Sequence, residues 1–246
     1  SNFDAMYPAF RMGDDRELRC YAAVIDLAKG KLTPQQVAGV KTDWLAQRDS
    51  EDGCNLAASE MYSAGKLGAD DAWRRARMTM ENGRSRAARA AVEMVAPVQL
   101  SAFATLVQSP IKFLTAKAKL QSRDQQELAT LALAKIAADN PDSAANLMDA
   151  TWGDLLGAEK RDWIWGVIGK TQATRLSPEA VASFAKVGKD SHLSDDMLGW
   201  KARAALRAGQ WQQVRKSIEA MSEDERKDPT WAYWRAKAMQ AGKISD

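Results

Sequence analysis

One short phrase occurs twice near the end of this chain, 34 residues apart: Trp200-Lys201-Ala202-Arg203-Ala204 and Trp234-Arg235-Ala236-Lys237-Ala238. Each copy runs on to an Ala-Gly pair, Ala208-Gly209 and Ala241-Gly242. Recurrence at about this period marks stacked helical hairpins, because one hairpin is too thin to bury its own apolar face and needs a neighbour. The feature points to an all-α chain, a superhelical array of antiparallel hairpins, and away from a compact enzyme core. Arrays of this kind present broad surfaces to other molecules.

Composition agrees with a folded helical protein: 46% of the 246 residues are hydrophobic and 27% are charged. No alternating apolar run of strand length stands out, and no apolar run of about 18 residues reads as a membrane span. The net charge of +3 is too mild to imply nucleic acid. With two cysteines and one histidine, Cys/His metal sites are ruled out by number. No cofactor is expected, and no glycine-rich phosphate loop is present.

Helix punctuation runs the length of the chain. Asp14-Asp15 precedes the Leu18, Tyr21, Ala22, Ile25 stripe, and Gly30 stops it. Thr33-Pro34, Asn140-Pro141, Ser177-Pro178 and Asp228-Pro229 each read as a cap followed by a proline in the first helical turn. Ser122 with Gln125 reads as a capping box, and Ser194 as the cap of the first repeat copy. The stretch 151–170, with Trp152, Trp163 and Trp165, predicts two helices turning near Gly157. Trp211, Val214, Ile218 and Met221 predict an antiparallel partner. No Gly/Ser-rich linker divides the chain, so residues 1–246 are expected to form one continuous domain of roughly a dozen helices.

Few residues invite chemistry. His192 lies in the polar stretch Lys189-Asp190-Ser191-His192 and reads as a solvated loop residue. Glu223-Asp224-Glu225 reads as a solvated capping segment. One basic cluster stands out: Arg74, Arg75, Arg77, Arg84, Arg86 and Arg89. It is either a hydrated surface or a contact for an anion or glycan, with Trp73 beside it either stacking on a ligand or buried. The pair Cys20 and Cys54 could form a disulfide or two buried thiols, and the count leaves both open.

The segment from Leu198 to Trp211, with Ile218-Glu-Ala-Met221 and Asp228-Pro-Thr-Trp-Ala-Tyr-Trp-Arg-Ala-Lys-Ala238, resembles the helical domain of the Slt-type soluble lytic transglycosylases. Arg19-Cys20-Tyr21, Trp44-Leu45 and Gly53-Cys54-Asn55 resemble the early helices of that family, which carry a paired cysteine at similar spacing. Residues 97–190 share only helical character. The resemblance implies a horseshoe of paired helices, a periplasmic location with possible membrane association, and a Cys20–Cys54 disulfide favoured by that oxidising compartment. In the family a lysozyme-like domain follows and cuts the bond between N-acetylmuramic acid and N-acetylglucosamine, leaving a 1,6-anhydro end. Its acid/base is a glutamate in a Glu-Ser motif. No Glu-Ser dipeptide occurs here. The expectation is a non-catalytic scaffold, inactive alone, that contacts peptidoglycan glycan strands or other cell-wall enzymes and not nucleic acid. The alternative is a stand-alone tetratricopeptide-like adaptor that binds protein.

Overall fold

A computed structural model describes residues 15–47, 52–116 and 122–244. Among them every regular element is helical, as the punctuation predicts. The chain divides into two compact units, Ser1–Phe103 and Ala104–Asp246, each described by itself.

The first unit begins with α1 (Arg16–Ala28), α2 (Pro34–Ala46) and α3 (Asp52–Ser63). Asp15 caps α1 by accepting from the Glu17 and Leu18 amides. Thr33 and Gln36 close a reciprocal capping box on α2, with Pro34 in its first turn. The phrase Gly53-Cys54-Asn55 supplies three separate contacts. A Cβ on Gly53 would meet Glu17 Cγ at 2.6 Å, so only glycine lets α3 approach α1 this closely. Cys54 is bonded to Cys20 with the two Cα atoms 4.8 Å apart, and both residues are fully buried. Asn55 Oδ1 accepts from the indole N–H of Trp44 at 3.0 Å, which satisfies the polar edge of a fully buried ring.

The unit continues with α4 (Ala69–Glu81) and α5 (Ser85–Val95), packed on each other across a turn at Gly83. Gly83 holds φ at 74°, while its amide bonds Met80 O and the Arg84 amide bonds Thr79 O. These are the two bonds of a left-handed helix stop, where a Cβ would be strained. Ala72, Trp73, Ala76 and Met80 from α4 meet Ala87, Ala88, Ala91 and Val92 from α5, all buried. Small residues on α5 leave room for the Trp73 ring on α4.

Helix α6 (Leu100–Gln108) spans the division, and α7 (Pro110–Ala116) and α8 (Arg123–Asp139) follow. Ser122 and Gln125 form the expected capping box on α8. The sequence places Leu128, Leu131, Ala132 and Ile136 on one inward stripe. The structure buries α8 on nearly every side, with Ala129, Thr130, Leu133, Ala134 and Ala137 also enclosed. Asn140 caps α9 (Pro141–Leu147), and a wide helical turn over Met148–Trp152 leads through Gly153–Leu155 to α10 (Ala158–Thr174), whose first turn follows Gly157 as predicted.

Ser177-Pro178 does not act as a cap and first turn. Helix α11 starts later, at Ala180, and is short (Ala180–Ala185). The Ser177 amide is already bonded to Gln172 O and its hydroxyl to the Glu179 carboxylate, so the segment closes α10 instead of opening α11. Phe184 of α11 sits where a Cβ on Gly169 would come within 2.8 Å of its ring. Then come α12 (Asp195–Arg207), α13 (Trp211–Glu219), α14 (Glu223–Arg226) and α15 (Pro229–Ile244). The first repeat copy is α12, stopped at Gly209, and the second is α15. Helix α12 packs on α10 and α13, and α13 packs on α15, which is the predicted stacking of hairpins within this unit.

Candidate functional site

The six arginines singled out in the sequence do not share one environment. Arg75 and Arg77 lie inside the first unit, 2% and 5% exposed. Arg75 donates through Nη1 to Gln47 O at 2.5 Å and Leu45 O at 3.4 Å. It therefore holds the end of α2 and cannot meet a ligand at the surface. Trp73 is fully buried and offers no face for stacking, so the ligand reading of that ring fails.

Arg74 is exposed, but its charge acts on Asp71. The Asp71 carboxyl lies below its ordinary range: burial pushes it up, and Lys41, the Gly68 amide and Arg74 together outweigh that. Arg84 is half-buried. The remaining two, Arg86 and Arg89, are exposed and stand one turn apart on one face of α5. Neither meets a carboxylate among the described residues. Of the six arginines in the cluster, Arg74, Arg86 and Arg89 are exposed. Packing decides this and not periodicity alone: Arg75 runs to the end of α2, and Arg77 is buried although it stands one turn from the exposed Arg74.

His192 is not the solvated loop residue that its neighbours suggested. Its Nδ1 lies 2.7 Å from Asp162 Oδ2, across 30 residues of sequence. The Asp162 side chain is 1% exposed and also accepts from the Gly188 and Lys189 amides, each at 3.0 Å. Burial pushes its carboxyl up, but the Gly188 amide, His192 and the Lys189 amide outweigh it, so Asp162 stays below the ordinary carboxylate range. The arrangement pins the loop between α11 and α12 onto α10. Lys201, buried on α12, reaches the same loop through Asp190 at 2.5 Å. Glu223 and Asp224 are exposed beside Lys227 as expected, in a short helix capped by Ser222, but Glu225 is half-buried and accepts from the Trp231 indole N–H at 2.8 Å.

A feature that the sequence reading missed lies on the two repeat copies. The Arg203 guanidinium carbon is 5.0 Å from the Trp200 ring centre and 4.8 Å from that of Trp231. Gly199 makes this possible, since a Cβ there would lie 3.0 Å from both the Trp231 ring and the Arg203 guanidinium. On α15 the same repeat position, Lys237, stands 5.8 Å over Tyr233. On α12 the signal was the Trp200-x-x-Arg203 spacing, which aligns a cation with an indole one turn away, whereas on α15 the cation meets the phenol ring four positions back.

No protein-family profile matches the sequence, and no curated protein matches it. Solved structures do. The whole chain aligns with 40% of an inactive mutant of the lytic transglycosylase Slt from Pseudomonas aeruginosa, at 18% identity and a TM-score of 0.61. The chain shares the fold of the matched part of that enzyme. A 70-kDa soluble lytic transglycosylase from Escherichia coli aligns over 94% of this chain and 38% of its own, at 16% identity and a TM-score of 0.48. The chain thus spans about two fifths of the length of these enzymes. No described helix is long and apolar enough to cross a membrane.

Proposed function

We propose that this chain is a non-catalytic helical scaffold of a periplasmic peptidoglycan lytic transglycosylase, one continuous array that contacts glycan strands. The observation that carries this reading is the alignment of all 246 residues with part of a lytic transglycosylase, with no portion of the chain left over. The Cys20–Cys54 bond fits an oxidising compartment. The buried carboxylates also favour a structural role. Asp43 pairs with Arg19 at 2.9 Å, Glu127 with Lys160 at 3.3 Å, and Asp162 with His192 at 2.7 Å. A general acid for glycoside cleavage stands beside a cleft that holds the sugars, and these three carboxylates lie buried against cationic or N–H partners. Arg86 and Arg89 supply positive charge for a weak, salt-sensitive contact.

The test is sedimentation of the purified chain with murein sacculi across a salt series, with the supernatant analysed for anhydro-muropeptides. Binding that weakens as salt rises, with no anhydro product, is expected. The double variant R86A/R89A should bind less at low salt. Release of anhydro-muropeptides would place an active site in this chain, and absence of any murein binding would remove the glycan role.

A further inference from the structure

We propose that the groove between α10, α12 and α15 is a sugar-binding site that reads a carboxylate carried on a glycan strand; the proposal rests on the glycan-contact reading above and names the form of glycan. Trp200, Arg203, Ala204 and Arg207 fall at i, i+3, i+4 and i+7 on α12 and make one wall. Leu176 and Trp234 make the others, around a volume of about 300 Å³. That is the lower end for small-ligand sites and fits a single sugar unit better than a folded partner.

The lining carries two arginines and no carboxylate, so the groove is complementary to an anion. Arg203 is the reader. Its guanidinium lies about 5 Å from the centres of both the Trp200 and Trp231 rings and makes no hydrogen bond or ion pair among the described residues. The ring contacts hold the guanidinium in place while leaving its N–H donors unused, which suits bidentate capture of a carboxylate. Arg207 has another task, donating to Leu176 O at 3.0 Å. That bond helps hold Leu176 at φ 60°, a left-handed conformation that leucine adopts at a cost, with its side chain 63% exposed at the lip. The exposed Leu176 and the half-buried indoles of Trp200 and Trp234 present apolar surface for the C–H faces of a saturated ring. Single-stranded nucleic acid would require cations tracking several successive phosphates, whereas the unused charge here is concentrated at one guanidinium.

In murein the lactyl carboxyl of each N-acetylmuramic acid is tied up in an amide to its peptide. Removing the peptide frees it. The site is therefore expected to prefer peptide-free strands. Purified chain is titrated by calorimetry with amidase-stripped glycan strands, with chitin oligomers of equal length as the carboxylate-free control. Stripped strands should bind at least tenfold tighter than chitin. Arg203→Met should remove that preference while leaving chitin binding and the circular-dichroism spectrum unchanged. Arg203→Lys, which keeps the charge and loses the planar fork, should recover only part of it. Equal binding of both glycans by the natural chain, or an undiminished preference in Arg203→Met, overturns the proposal. So does Arg203-dependent binding of an acidic peptide or a DNA oligomer in place of stripped strands. Binding of stripped strands that survives Arg203→Met and is lost in R86A/R89A would sink this site alone, whereas no murein binding by the natural chain would sink the functional reading itself.

Discussion

Reducing the Cys20–Cys54 bond should loosen the first unit far more than the second, by an amount the sequence separation sets. The cross-link spans 34 positions and ties α1 to α3 with α2 inside the loop. In the chain-entropy description, opening a loop of that length returns about 13 cal/mol/K to the unfolded chain, or about 3.8 kcal/mol at 25 °C. That corresponds to a roughly 600-fold larger population of opened first unit. Comparing the oxidised and reduced natural chain isolates the link, because both sulfurs remain in place and no cavity is created. The assay is amide hydrogen exchange with and without a thiol reductant, after reduction in denaturant and refolding. The slowest amides of α1 and α3 should lose about 3–4 kcal/mol of protection, while those of α8 and α10 serve as the internal control. A loss under about 1 kcal/mol in α1 and α3 would show that packing at the Gly53 approach, not the cross-link, sets the stability of this region. Equal losses in both units would show that the cross-link acts on the whole chain and that the local reasoning is wrong.

Gly169→Ala should lower stability by about 1–3 kcal/mol, because the new methyl meets the buried Phe184 ring at 2.8 Å; a thermal midpoint within a degree of the natural chain would refute it. Arg75→Met should cost about 2–3 kcal/mol in denaturant unfolding of the first unit, since it strips the carbonyls of Leu45 and Gln47 of a buried charged donor, whereas Arg86→Met should cost almost nothing. The Asp162 carboxyl is depressed in the folded chain, so its stabilisation is present above the unfolded value near 3.8 and is lost as pH falls through the lower folded value. Thermal unfolding between pH 2 and 7 should therefore show the second unit weakening at the acid end, and Asp162→Asn should lower stability near neutral pH and flatten that acid limb; an unchanged limb in the variant would count against the assignment.

Local interactions made much of this protein legible from its residues alone. Asp15, Thr33 with Gln36, Ser122 with Gln125, Asn140 and Ser194 all bond amides within three positions, and Gly83 and Gly209 stop helices through bonds within five. Such contacts depend on neighbouring residue types and little else, so the helical class and most boundaries follow from sequence. Where two local schemes compete, the sequence is silent: Ser177-Pro178 has the grammar of a helix start, and only its bond back to Gln172 shows that it finishes α10. What tertiary structure decided is which side chains are spent and which are left over. Arg74 and Arg75 are adjacent in sequence, yet one is exposed and the other lies buried beneath the end of α2, because helical geometry sends them in different directions and only packing says what waits there. Asp162 finds His192 across 30 residues, and Arg203 on α12 finds Trp231 on α15 where Gly199 lets the two come close. Those meetings depend on how whole helices approach one another, which is a property of the packed chain and of no short segment within it.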